Sequence, residues 1–132
     1  MKAAETPTTA VVFMTADQDF RAEVESLLGD IGYRLRTADS LEDLVAGLED
    51  EHPRLVLIDL DMPAMPKGIR ATTIHLREET KLGDVPIVYL SIEKELKIVS
   101  ESLLLGRNEY IIRVAKPAQL KNLLHQLLPR NI

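Results

Sequence analysis

Three side chains of complementary chemistry lie at or near the ends of apolar segments that are far apart in the chain. Asp59 lies at the end of the most apolar run, Ser91 follows a second run, and Arg113 lies within a third. A carboxylate nucleophile, a hydroxyl donor and a fixed positive charge are the groups needed to hold a phosphoryl group. These residues therefore predict phosphoryl chemistry, provided that the fold brings them to one place.

The segments that must position these residues alternate between strand-like and helix-like patterns. Apolar or alternating runs predict five strands, at 10–14, 33–37, 55–60, 87–90 and 110–114. Helical spacing between and after them predicts five helices, the third over 69–82 and the last beginning at Pro117. Strands that are apolar on both faces are typical of a parallel sheet with helices on both sides. The predicted fold class is α/β: a doubly wound (βα)5 flavodoxin-like fold whose five-stranded parallel sheet has the order 2-1-3-4-5.

This strand order predicts where the chemistry takes place. In a doubly wound sheet, ligands bind beyond the carboxyl ends of the strands at which the winding reverses, here strands 1 and 3. The residues expected at this edge are Thr15, Ala16, Asp17, Asp59, Ser91 and Arg113. Asp17 is also the expected N-cap of the first helix, which Gly32 is expected to end, and Ser40 with Asp43 resembles a capping box at the start of the second.

The composition is that of one globular domain with an aliphatic core. The chain has 132 residues, of which 45% are hydrophobic and 4% aromatic, and it has no cysteine, so disulfides and thiolate sites are excluded. We expect residues 1–9 to form a disordered tail and residues 10–132 to form the domain. The net charge of −5 argues against nucleic-acid binding. No apolar run is long enough to span a membrane, and a cytoplasmic location is expected.

Three segments resemble those of bacterial response-regulator receiver domains. Residues 53–63, PRLVLIDLDMP, are similar to the phosphoacceptor segment of that family. Residues 85–91, VPIVYLS, resemble its fourth strand with the switch hydroxyl, and residues 106–113, GRNEYIIR, resemble its fifth strand. The resemblance covers essentially the whole chain after residue 9, so the flavodoxin-like fold is expected to be a receiver fold.

The resemblance implies a role for individual residues. Asp59 is implied to be the phosphoacceptor, Ser91 the switch hydroxyl and Tyr110 the rotating switch aromatic. Arg113, which lies 22 residues after Ser91, takes the position of the invariant lysine of the family. A histidine kinase is the implied partner and Mg²⁺ the implied cofactor. Self-phosphorylation and dephosphorylation at Asp59 would then be the most that the chain catalyses, so we do not expect an enzyme.

The sequence departs from the family pattern at the metal-binding positions. Receivers carry an acidic pair that binds Mg²⁺ together with the acceptor, and here Thr15 and Ala16 occupy those positions. Asp17 and Asp61 are the nearby acids that could compensate. Because Mg²⁺ is usually held by one or two carboxylates plus waters and phosphate oxygens, Asp59 without the pair predicts weak Mg²⁺ binding.

Two further departures affect the acceptor itself. Arg113 keeps the positive charge of the lysine, but a planar guanidinium does not replace an ammonium point donor. We expect Arg113 to form a structural ion pair with Asp59. Ile92 follows the switch hydroxyl, where the family has a small residue, and its β-branched side chain is expected to narrow access for a phosphodonor.

A leucine cluster formed by Leu103, Leu104 and Leu105 is a candidate surface for binding protein partners. Three successive helical residues span an arc of about 200°, so they cannot all face one core. Either one of them is exposed and marks a docking or dimerisation face built from the predicted fourth helix, the fifth strand and the last helix, or all three are buried against the last helix. The sequence leaves both open.

Three functions are therefore in competition. The leading hypothesis is an atypical receiver, or pseudo-receiver, of a two-component system or phosphorelay that acts by protein–protein contact with impaired phosphorylation. The second is an ordinary receiver that a histidine kinase phosphorylates on Asp59. The third, which is remote, is a small cofactor-binding enzyme on a flavodoxin-like fold, for which no phosphate-binding loop is present in the sequence.

Overall fold

A computed structural model of the protein describes residues 10–50, 52–60, 68–80, 82–91, 109–113 and 117–129. Within these ranges five strands alternate with four helices in the order β1 Ala10–Met14, α1 Gln18–Asp30, β2 Arg34–Ala38, α2 Leu41–Asp50, β3 Leu55–Asp59, α3 Gly68–Glu79, β4 Ile87–Ser91, β5 Glu109–Arg113 and α4 Pro117–Leu127. The predicted helix between the fourth and fifth strands and the predicted tail both lie outside the described residues.

The five strands form one parallel sheet in the order β2-β1-β3-β4-β5. This confirms the predicted doubly wound topology. Met14 lies opposite Ile58, and Asp59 lies opposite Leu90. The carboxyl ends of β1, β3 and β4 therefore meet at one edge, as the strand order predicts.

Helices cover both faces of the sheet, which is why β1, β3 and β4 are buried throughout. Because successive strand residues point to opposite faces, each strand contributes to two cores. The first core joins α1 and α4 to the sheet through Val11, Phe13, Leu55, Leu57, Val88, Leu90, Phe20, Val24, Leu28, Leu120, Leu123 and Leu124. The second joins α2 and α3 to the other face through Val12, Met14, Val56, Ile58, Ile87, Tyr89, Leu44, Leu48, Ile69 and Leu76.

The predicted helix signals agree with the structure at α1. The Asp17 side chain accepts a hydrogen bond from the Phe20 N–H at 3.0 Å and caps the helix. At the other end, Gly32 adopts a φ of 87°, a conformation that glycine adopts without steric cost.

The predicted capping box at α2 differs from the structure in one bond. Ser40 Oγ accepts from the Asp43 N–H at 3.1 Å, as expected. The Asp43 side chain reaches back to the N–H of Asp39 at 3.1 Å and so satisfies the backbone group one residue before the expected one.

Several predicted boundaries were wrong by one to three residues. The helix predicted over 69–82 is α3, Gly68–Glu79. Thr80 explains its earlier end, because its hydroxyl donates to the Leu76 carbonyl and accepts from the Leu82 N–H. In place of the predicted runs, β2 begins at Arg34, β3 ends at Asp59, β4 extends to Ser91 and β5 is Glu109–Arg113.

Two adjacent threonines in α3 offer a matched test of buried hydrogen bonding. Thr72 and Thr73 are both fully buried. The Thr73 hydroxyl hydrogen-bonds to the Tyr89 hydroxyl at 2.5 Å, whereas the Thr72 hydroxyl has no hydrogen-bond partner among the described residues. We expect Thr73→Val to lower the free energy of unfolding by about 1–2 kcal/mol and Thr72→Val to leave it unchanged or raise it by up to about 1 kcal/mol. Urea unfolding of the two variants measures both effects, and a larger loss for Thr72→Val would contradict the assignment.

Among the helices that the structure describes, none has the length and apolar character needed to cross a membrane.

Candidate functional site

A buried hydrogen bond joins the ends of β1 and β3. Thr15 Oγ1 donates to Asp59 Oδ2 at 2.6 Å, and the exposed fractions of the two residues are 0% and 3%. The same Thr15 oxygen accepts from the Asp17 N–H at 3.0 Å. A hydroxyl has a single proton to donate, so the proton of Thr15 is committed to Asp59.

The backbone of Thr15 is also fixed on both sides. Its N–H donates to the Ala38 carbonyl at 3.1 Å, and its carbonyl accepts from Arg21 Nη2 at 3.0 Å. The same Arg21 nitrogen lies 3.2 Å from Asp39 Oδ1. Contacts from β2 and α1 therefore fix the backbone of Thr15, and this fixed backbone positions the hydroxyl for its hydrogen bond to Asp59.

Sequence reasoning did not identify Arg21 as part of this site. It lies four residues after the N-cap of α1, where a positive charge opposes the helix dipole. An arginine at this unfavourable position suggests that a nearby acceptor holds it, and this feature of the sequence could have identified Arg21. In the structure its partners are the Thr15 carbonyl and Asp39.

The two residues after Thr15 contribute differently from one another. Ala16 is exposed and offers only a methyl group. Asp17 is exposed as well, and its carboxylate faces the start of α1, where it accepts from the Phe20 N–H. Asp17 therefore serves as the cap of α1, and its predicted role as a compensating metal ligand stays a prediction.

Ser91 and Arg113 are brought together by the sheet. Ser91 ends β4, is fully buried and lies opposite Arg113 in the β4–β5 register. The place of Arg113 at the lysine position of the family stays a prediction. Pro117 is the first residue of α4, as predicted. Tyr110 is 38% exposed.

Several predicted site residues fall outside the described residues. They are Asp61, Ile92 and the three members of the leucine cluster, Leu103, Leu104 and Leu105. The choice between an exposed docking face and burial of all three leucines against the last helix therefore stays open. Nothing is described of the Arg113 side chain either, so its ion pair with Asp59 also stays a prediction.

The donors that the structure describes at this edge do not fit a Mg²⁺ site. Mg²⁺ requires oxygen ligands in near-octahedral geometry, with one or two carboxylates among them. Asp59 Oδ2 already accepts the Thr15 hydroxyl, and the Asp17 carboxylate caps a helix. Within the described ranges, no three acidic or histidine side chains are grouped so that they could hold a metal ion.

Comparison with known proteins identifies the family. A model of the response regulator receiver domain matches residues 11–127 of the chain. The chain belongs to this family. As a receiver domain it is a signalling module of the two-component type, and the predicted recognition from three segments is confirmed.

Curated relatives share this domain within longer proteins. The chain is 30% identical over 111 residues to the probable transcriptional regulator ycf27 of Cyanophora paradoxa, across 83% of this chain and 44% of that protein. Its counterpart in Porphyridium aerugineum is 28% identical over 121 residues, across 91% of this chain and 48% of the relative. The receiver chain thus spans less than half the length of these relatives.

Solved structures support the fold. The chemotaxis protein CheY4 of Vibrio cholerae superposes with a TM-score of 0.74 at 21% identity, over 92% of this chain and 99% of the other. The receiver domain of the sensor histidine kinase PA1611 from Pseudomonas aeruginosa has a TM-score of 0.68 at 21% identity, over 90% and 96% of the chains. That receiver was solved with a magnesium ion coordinated in its active site cleft.

Proposed function

We propose that this chain is an atypical receiver in which the Thr15 hydroxyl, rather than Mg²⁺, occupies one oxygen of Asp59. Its Mg²⁺-dependent phosphorylation is then impaired, and it transmits its signal by contact with a protein partner. The observation that carries the proposal is the 2.6 Å hydrogen bond between Thr15 Oγ1 and Asp59 Oδ2. Both residues are buried, so water does not compete strongly for this bond.

The physical argument concerns charge. In phosphoryl transfer, divalent cations neutralise the charge that develops on the phosphoryl oxygens, and catalysis depends on this electrostatic stabilisation. A neutral hydroxyl provides one hydrogen bond to Asp59 and no positive charge. A phosphoryl group brought to Asp59 would therefore meet the carboxylate without a metal to neutralise it, and transfer would be slow.

Each remaining residue has a place in the proposal. Asp59 lies at the phosphoacceptor position of the family and is the site of any residual phosphorylation. Ser91 and Tyr110 take the switch positions that the family implies, and Arg113 takes the position of the invariant lysine. The partner is a histidine kinase or another signalling protein. The receiver from Pseudomonas aeruginosa holds a magnesium ion in its active site cleft, so weak Mg²⁺ binding would set the present chain apart from it.

The test is a titration with Mg²⁺ and beryllofluoride, followed by backbone NMR spectra, and incubation with a small phosphodonor, followed by intact mass. We expect no saturable Mg²⁺ response, no beryllofluoride adduct and no stable mass increase. Asp59→Asn is the matched control because it removes the acceptor and retains the shape of the side chain. A stable adduct in the unchanged chain that Asp59→Asn abolishes would overturn the proposal.

That same outcome would establish the second candidate, an ordinary receiver phosphorylated on Asp59. The position of Asp59 at the carboxyl end of β3, on the strand adjacent to the one that ends with the buried hydroxyl of Ser91, favours it. The two candidates differ in whether Asp59 is needed. In the first, Asp59→Asn retains activity in its pathway, and in the second it loses that activity.

A further inference from the structure

A groove beside α3 has no part in the proposed role of Asp59. Its volume is about 360 Å³, and it is lined by the first residue of α2 and by one side of α3. These helices cover the sheet face opposite α1 and α4. Leu41, Ala71 and Ile74 form the apolar lining. All three are at least partly exposed, so this apolar surface is open to solvent.

The groove carries an acidic edge. Glu78 and Glu79 line it and are exposed, as is His75. The part of the lining that the structure describes includes no lysine or arginine. Arg77, the cation next to Glu78 in α3, is turned away, because its side chain is only 3% exposed and is paired with Glu109. Arg77 therefore does not neutralise the negative charge of the edge. Arg70, the other arginine of α3, is exposed but precedes Glu78 by eight residues, which is about 12 Å along the helix.

Thr72 gives the groove a polar base. It lies in the lining and is 1% exposed, and its buried hydroxyl oxygen has no hydrogen-bond partner in the part of the chain that the structure describes. A threonine within a helix commonly donates to the carbonyl four residues earlier, and Thr72 does not. An unsatisfied buried hydroxyl is uncommon in native proteins, and it is consistent with a groove that is completed by something outside the chain.

We propose that this groove binds a cationic amphipathic helix of a partner protein. One or two apolar side chains of the helix would fill the space between Leu41, Ala71 and Ile74, and its lysines or arginines would face Glu78 and Glu79. Helix-in-groove recognition uses this combination of apolar anchors and flanking charge. This inference rests on the proposed function, because the groove would supply the surface through which the receiver contacts its protein partner.

Two other occupants fit less well. Small-molecule sites place a few polar groups within a concave, mostly apolar pocket, whereas the charged groups here lie at the exposed edge. A second copy of the chain carries the same net charge of −5, so the two copies would repel each other.

The test uses a synthetic helical peptide of leucine and lysine, with the leucines on one face, added to the full chain and monitored by fluorescence anisotropy and backbone NMR. We expect saturable binding that weakens with added salt and that shifts the amide signals of Ala71, Ile74 and Glu78. A peptide with glutamate in place of lysine should not bind, nor should one with serine in place of leucine.

Two matched arginine substitutions distinguish peptide binding in this groove from nonspecific attraction of a cationic peptide to an acidic protein. Ala71 and Ala22 are both exposed helical alanines, but Ala22 lies in α1, on the other side of the sheet. We expect Ala71→Arg to weaken peptide binding by at least about tenfold, because it places bulk and like charge in the groove. Ala22→Arg changes the net charge equally and should alter binding by less than about twofold.

Equal weakening by the two arginine variants, or amide shifts centred away from α3, would overturn the groove proposal. Circular dichroism verifies that both variants are folded. Because the assay contains neither Mg²⁺ nor a phosphodonor, its failure would reject the groove and would leave the proposal for Asp59 untouched.

Discussion

A variant that carries Thr15→Asp and Ala16→Asp together is expected to bind Mg²⁺ and to form a beryllofluoride adduct at Asp59. The two substitutions restore the acidic pair at the carboxyl end of β1, and Thr15→Asp also removes the hydroxyl that donates to Asp59 Oδ2. Because Mg²⁺ is usually held by one or two carboxylates plus waters and phosphate oxygens, we expect the affinity for Mg²⁺ to rise by at least about tenfold, which corresponds to about 1.4 kcal/mol. Isothermal titration calorimetry with Mg²⁺ gives the affinity, and NMR detects the adduct.

The matched control is Thr15→Asn with Ala16→Asn, which has nearly the same shape without charge. It should bind Mg²⁺ no better than the unchanged chain. Without Mg²⁺ the aspartate variant clusters like charges around Asp59 and should be less stable than the asparagine variant, and Mg²⁺ should restore its stability by mass action. Equal Mg²⁺ binding by the two variants would show that the acidic pair is not what the site lacks.

Loss of Arg77 should produce the largest change in stability. Its guanidinium donates to Glu109 Oε2 from Nε at 3.0 Å and from Nη2 at 2.8 Å. Nη1 donates to the carbonyls of Gly83 and Val85 at 2.7 and 2.6 Å. The two side chains of the ion pair are 3% and 1% exposed. Removing one partner of a buried pair leaves an uncompensated charge, so Arg77→Met should lower the free energy of unfolding by about 3–5 kcal/mol.

The companion substitution Glu109→Gln tests whether the unpaired Glu109 carboxylate causes the loss of stability in Arg77→Met. In the unchanged chain it should be destabilising, because Arg77 then loses its anion. In the Arg77→Met background it should be stabilising by about 1–3 kcal/mol, because it removes a buried unpaired carboxylate. Urea unfolding of the four proteins gives the double-mutant cycle.

Arg21→Met provides the comparison at the surface. The Arg21–Asp39 pair is 25% and 81% exposed, and Arg21 also donates to the Thr15 carbonyl, so the loss of both interactions should cost only about 1–2 kcal/mol. For the Arg77–Glu109 pair, equal destabilisation by Glu109→Gln in the unchanged chain and in the Arg77→Met variant would show that the two side chains are not coupled.

The sheet could be predicted because its signals are local and strong. The run from Leu55 to Asp59 is apolar at every position before the aspartate, and a segment of that kind is stable only when both faces are covered. Together with the other apolar or alternating runs, it makes five strand-like segments separated by helical patterns, and such a sequence leaves few topologies. The Asp17 cap could be predicted for the same reason, since its partner, the Phe20 N–H, is three residues away.

The hydrogen bond at the site could not be predicted in the same way. In the sequence, Thr15 indicates only that a carboxylate is absent, because comparison with the family pattern shows which metal ligand is missing. Whether its hydroxyl meets Asp59 depends on the rotamer of a residue that Ala38 and Arg21 hold in place. The Arg77–Glu109 pair was missed because its members are 32 residues apart in sequence, and an arginine near a helix end is usually at the surface.

The Thr15 hydroxyl also connects Asp59 to the backbone amide of Asp17, whose NMR resonance can be observed without attaching a probe. It donates to the Asp59 carboxylate and accepts from the backbone N–H of Asp17, the cap of α1. A change in the charge of Asp59, by protonation or by covalent modification, alters how strongly the hydroxyl is polarised, and cooperative hydrogen bonds pass such a change along. The Asp17 amide resonance should therefore serve as a native spectroscopic reporter for a buried carboxylate that it does not touch.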